Sequence, residues 1–137
     1  MNTVDIGSQP VITDPRSKEG RIALAKMVTK LFDLWKVGTA DQAALLGLSE
    51  GSRSTIARYR RGEPLADSRD LFDRVSHLLA IHRSLRILFP KNREIVYRWP
   101  TIPNRQFEGR SPVQVIRAQG FLGLLIVRRH LDFQRGL

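Results

Sequence analysis

Arg53, Arg58, Arg60 and Arg61 fall within nine residues, in the stretch RSTIARYRRGEP, with no acidic residue among them until Glu63. A guanidinium presents a planar fork of N–H donors that matches a phosphate, or the two acceptors on the major-groove edge of guanine. Ser54 and Thr55 add hydroxyls that reach bases or phosphates. Cations at the end of a helix are also favoured by its dipole, so a solvated helix face is the simpler account of the same run. The flanking segments decide between the two.

No other group of residues has the spacing of a reactive centre. His77, His82 and His130 are not at metal-ligand spacings, and the chain has no cysteine. Asp70 and Asp73 alternate with Arg69 and Arg74 in the manner of helix-surface ion pairs. His82 falls on an apolar face, where a hydrogen-bonded core or boundary histidine is the ordinary reading. No Gly-rich phosphate loop or nucleophile elbow occurs. A non-enzyme without metal or cofactor is expected.

The elements that position the arginines are helices. Asp14-Pro15 predicts the start of a first helix over 15–36, with Ala25, Val28, Leu31, Phe32 and Trp35 on one face and Gly38 as its stop. Thr39 to Gln42 has the form of a capping box and opens a second helix to about Leu46. After Gly47-Leu48-Ser49, Ser49 or Ser52 caps a third helix to Arg61, closed by Gly62 and Pro64. Asp67 is expected to cap a long helix burying Leu71, Phe72, Val75, Leu78, Leu79, His82 and Leu85. Beyond Phe89-Pro90 the text predicts a short helix over 93–99 and an irregular loop through Pro100, Pro103, Asn104 and Gly109. A second capping box at Ser111 to Gln114 then opens a helix to Gln119, and after Gly120 a last helix runs over 121–132. The fold class is therefore all-α, with residues 1–13 as a flexible arm, 14–88 as a helix-turn-helix bundle and 89–137 as a small helical subdomain.

Size and charge agree. The 137 residues are 42% hydrophobic, enough for a core, and carry a net charge of +10. Residues 1–68 hold 10 basic and 8 acidic side chains against 13 and 5 in residues 69–137, which suggests a second charged interface. The absence of cysteine, of a secretory leader and of a membrane-length apolar run favours a cytoplasmic protein.

The second and third helices have the lengths of a helix-turn-helix, whose second helix enters the DNA major groove. Arg53, Ser54, Thr55 and Arg58 would face base edges; Tyr59, Arg60 and Arg61 would reach phosphates. TADQAALLGLSEGSRSTIARYRRGEP resembles the helix-turn-helix of Xre-type, phage-repressor-like proteins, with more residues between the helices than the shortest versions. The segment from LFPKNREIVYRWP to RRHLDFQRG resembles the C-terminal toxin-binding domain of the Xre/MbcA/ParS antitoxin family, through Trp99, Pro103-Asn104, Phe107, Gly109 to Pro112 and the closing helix.

That resemblance implies the antitoxin of a type II pair, whose partner is a RES-domain toxin that destroys NAD. The antitoxin would cover the active site and, as a homodimer or a hetero-oligomer with the toxin, repress their shared promoter DNA. Trp99 and Phe107 are expected to be core anchors, leaving Arg128, Arg129, Asp132, Gln134, Arg135, Gly136 and Leu137 as the toxin-binding set. The tail FQRGL would reach the toxin's active site. Two other readings stay open: a stand-alone transcription regulator, whose second half binds a small ligand or only dimerises, and a polar-localisation adaptor.

Overall fold

The computed structural model describes residues 14–49 and 51–137; the expected arm, 1–13, lies outside them. The regular elements among the described residues are all helices: α1 Lys18–Trp35, α2 Thr39–Leu45, α3 Arg53–Arg60, α4 Arg69–Leu88, α5 Arg93–Arg98, α6 Pro112–Gln119 and α7 Phe121–Gln134, with 3-10 turns at Trp99–Thr101 and Arg105–Phe107.

Helix positions agree with the sequence pattern, whereas several caps differ by a few residues. Ser17, not Asp14, caps α1: its Oγ accepts the Gly20 N–H at 3.0 Å, while the Asp14 carboxylate takes the Arg16 N–H. Lys36, in the left-handed region at φ 57°, ends α1, and Gly38 is the residue before α2. The box expected at Thr39 does not form. Thr39 is already helical, and the Gln42 side chain turns inward to donate to the Val37 carbonyl at 2.9 Å. Ser68 caps α4, because its neighbour Asp67 is drawn off to Arg16 at 3.0 Å. At α4 two adjacent side chains could cap, and the tertiary contact from Arg16 to Asp67 chooses between them.

Two predicted stops and starts are as read. Gly62 closes α3 at φ 95°, a conformation that suits glycine. Ser111 and Gln114 make both bonds of a capping box, at 3.1 and 2.8 Å.

One hydrophobic cluster runs through both halves. It joins Leu31, Phe32 and Trp35 of α1, Ile56 of α3, Val75, Leu78 and Leu85 of α4, Ile116 of α6, and Leu124, Val127 and Leu131 of α7. Helix α3 packs on α1 and α2, whereas α7 packs on α4 and α6. Helices α4 and α7 run parallel, since His77 meets Arg128 and, seven residues further along each, Ser84 meets Arg135. Helices α6 and α7 approach closely at Gly123, where a Cβ would lie 2.6 Å from the Ile116 Cα and the Val115 oxygen.

Candidate nucleic-acid and partner surfaces

Helix α3 is anchored by Ile56 and Tyr59, which are buried. At about 100° per residue, those anchors turn Ser54, Ala57, Arg58 and Arg61 outward, with Arg53 and Thr55 flanking them. Arg53, Ser54, Arg58, Arg60 and Arg61 are exposed and Thr55 is half-buried.

The cations differ in their engagements. Arg58 donates to the Thr55 hydroxyl at 3.2 Å and faces Glu63 at 3.5 Å. Arg60 reaches back to Asp33 on α1 at 2.7 Å. Arg53 and Arg61 have no ion-pair partner among the described residues. Exposed pairs of this kind contribute up to about 1 kcal/mol, so a phosphate can displace Glu63 or Asp33. Tyr59 is a correction to the expected phosphate-contacting set. It is 6% exposed, and its hydroxyl accepts the Ala66 N–H at 3.3 Å, tying α3 to the segment before α4.

The second surface lies on α7. Here the expected contact set divides. Arg128 is half-buried and donates to His77 Nδ1 at 2.8 Å, so that nitrogen must be the acceptor and Nε2 carries the proton. Burial holds the His77 pKa down, and the Arg128 charge adds to this against Asp73. Arg135 donates to the Ser84 hydroxyl at 3.2 Å. Arg128 and Arg135 thus fasten α7 to α4, instead of forming the open polar surface expected of them. Arg129, Gln134, Gly136 and Leu137 are exposed, and Asp132 is half-buried.

The tail is not a free segment. Phe133 and Gln134 continue α7, Gly136 turns at φ 82°, and the Leu137 N–H returns to the Asp132 carbonyl at 2.9 Å. Phe133 and Leu137 are nonetheless 77% and 76% exposed, and Leu122, at the opposite end of α7, is 57% exposed. Helical phase puts Leu122, Arg129 and Phe133 on the side away from Leu124, Val127 and Leu131. Sequence reasoning missed Leu122 because FLGLLIV is apolar all round and carries no period that distinguishes inside from outside.

Trp99 and Phe107 are scaffold residues, as expected. Trp99 stacks on His130 at 6.1 Å, and Phe107, 7% exposed, meets the same ring edge-on at 5.2 Å. Burial lowers the His130 pKa. His82 departs from expectation: it is 2% exposed, stacks on Tyr97 at 5.5 Å, and neither ring nitrogen has a hydrogen-bond partner among the described residues. Burial pushes its pKa down to about 4, helped by Arg86. Among the described residues no group of three or more His, Cys, Asp or Glu could hold a metal ion, and no helix is long and apolar enough to cross a membrane.

A basic helix presented by a small helical bundle, joined to a second helical unit with an outward apolar face, defines a DNA-binding protein with a separate protein-docking half. Residues 21–80 match the antitoxin Xre-like helix-turn-helix domain, and residues 84–136 match the antitoxin Xre/MbcA/ParS C-terminal toxin-binding domain. The chain belongs to this family of toxin–antitoxin antitoxins. Uncharacterized protein y4oB of Sinorhizobium fredii (strain NBRC 101917 / NGR234) is 33% identical over 125 residues, covering 90% of this chain and 94% of that protein. The two matched domains meet inside α4.

Proposed function

We propose that this antitoxin neutralises a RES-domain toxin that degrades NAD, covering its active site with the outer face and C-terminal end of α7. It also binds its own promoter as a homodimer through α3, repressing the operon, and does so in the cytoplasm without a cofactor. The observation that carries the docking half is the exposure of Leu122 and Phe133 on α7 and of Leu137 just beyond its end. Phe133 and Leu137, four residues apart, are the exposed apolar pair that a protein partner would cover. Arg129 and Gln134 supply the polar rim.

The test is growth and intracellular NAD after induction of a RES-domain toxin with each variant. Phe133→Glu with Leu122→Glu should abolish protection, since a carboxylate in a desolvated apolar contact costs several kcal/mol. Arg58→Ala should protect fully and weaken promoter repression. Full protection by the Glu variant would reject the docking face; no protection by the unaltered chain would reject the partner. A second reading, a ligand-responsive regulator without a toxin, draws on an open recess of about 670 Å³ lined by Leu34, Trp35, Lys36, Arg93, Tyr97 and Arg98.

A further inference from the structure

We infer that α1 supplies a second set of DNA-phosphate contacts, from Lys26 and Lys30, beside the C-terminal end of α3. The inference rests on the DNA-binding reading of α3 and extends its footprint to a helix outside the helix-turn-helix pair.

The argument begins with Gly62. A Cβ built there would lie 2.7 Å from Lys26 Cε and 3.5 Å from its Nζ, so the lysine stem lies across the backbone that ends α3. That places its ammonium beside Gly62, next in the chain to the exposed Arg61. Lys30 follows one turn along α1, and Asp33, three residues beyond it, meets Arg60. Lys26 and Lys30 are exposed and have no ion-pair partner among the described residues. Lys26, Arg60 and Arg61 therefore gather at the C-terminal end of α3, with Lys30 one turn along α1 from Lys26. Of the carboxylates beside them among the described residues, Asp33 already faces Arg60 and Glu63 faces Arg58.

The partner that fits is a phosphodiester backbone. Charge held on two helices offers donors to successive phosphates but no fork aligned on a base edge, so these lysines position the protein without reading sequence. Solubility alone would not require Lys26 to lie against the end of the recognition helix. The opposite side of α1 is committed to the core through Leu24, Val28, Leu31 and Trp35.

The test is binding of the full chain to two labelled duplexes of equal length, one with the promoter region of its own gene and one of random sequence, across a salt series. The double variant Lys26→Gln with Lys30→Gln keeps both stems and removes both charges. Each lost phosphate contact lowers the slope of log affinity against log salt by about 0.9, so two lower it by about 1.8. Between about 50 and 200 mM salt the unaltered chain should then lose about tenfold more affinity than the variant does. The weakening should be equal on both duplexes.

Lys91→Gln with Arg105→Gln removes the same charge from exposed sites elsewhere and should leave the slope close to that of the unaltered chain. An unchanged slope in the Lys26/Lys30 variant, or an equal fall in the control, overturns the inference. Weakening confined to the promoter duplex would overturn it too, by showing base readout. Failure of the unaltered chain to bind either duplex would instead reject the DNA-binding reading, and this inference with it.

Discussion

Replacing His82 with leucine should spare about 2 kcal/mol of the stability that this protein loses between pH 7 and pH 5. The imidazole is 2% exposed, stacked on Tyr97, and without a hydrogen-bond partner on either nitrogen among the described residues. Burial lowers its pKa from 6.5 to about 4, with Arg86 adding to the shift. In the unfolded chain the same group regains the ordinary value. As pH falls below 6.5, the unfolded state takes up a proton that the folded state refuses, so stability is lost down to about pH 4 and no further. The full window amounts to about 3 kcal/mol, of which about 2 kcal/mol falls between pH 7 and pH 5. His77 and His130, also lowered by burial, contribute in the same direction.

Urea unfolding at the two pH values measures the effect. His82→Leu should be at least as stable as the unaltered chain at pH 7, because it replaces an unsatisfied polar group with an apolar one. It should lose about 2 kcal/mol less on moving to pH 5. The His82 ring resonances of the unaltered protein should titrate below pH 5. Equal losses in the two proteins, or a ring titrating near 6.5, would refute the reasoning. Carboxylate effects are common to both and cancel in the comparison.

Two further substitutions test the packing. Gly123→Ala places a methyl 2.6 Å from backbone atoms of α6, which cannot rotate away; overpacking of about 1–3 kcal/mol outweighs a helix-propensity gain of about 1 kcal/mol. Thermal unfolding should show a lower Tm, and an unchanged or higher value would mean that α6 and α7 separate freely. Gly38→Ser should raise stability by about 0.5–1 kcal/mol, since the position has φ −71°, open space around its Cβ and no side-chain cap for α2. Chemical denaturation reads this, and a loss of stability would show that Gly38 has a role beyond capping.

What was legible in the sequence was local. Gly62 stops α3 and the Ser111 box opens α6, because the few residues involved settle both. The apolar face of α4 was legible too, since Leu71, Val75, Leu78 and Leu85 keep a helical period; Ile81 and Ser84, buried with them, were not recognised. Tyr59 was misplaced because its neighbours Arg58, Arg60 and Arg61 make the run look uniformly exposed, whereas helical phase turns it about 100° from Arg58 and Arg60 and about 200° from Arg61. Arg128 and Arg135 were misplaced for a related reason. Their partners, His77 and Ser84, are 51 residues away, and no spacing rule reveals them. The exposed side of α7 was only half legible, because Leu122 is spelled like its buried neighbours.

The division at Phe89-Pro90 has a limited physical meaning. Helix α4 belongs to the N-terminal half by sequence, yet α7 covers it along its length. The two halves are also pinned by polar contacts. Arg117 of α6 bonds Asp41 of α2 at 2.6 Å, and the Arg74 guanidinium lies between Gly47, where a Cβ would meet it at 2.6 Å, and the Phe121 ring at 5.5 Å. Removal of residues 89–137 would uncover the side of α4 that α7 now covers, where Ser84, 2% exposed, lies beneath Arg135. The halves are therefore separable at their surfaces and joined in their core. A change at Arg58 or Phe133 alters one surface without reaching the shared cluster. A change at Gly123 or His82 acts on the folding of both.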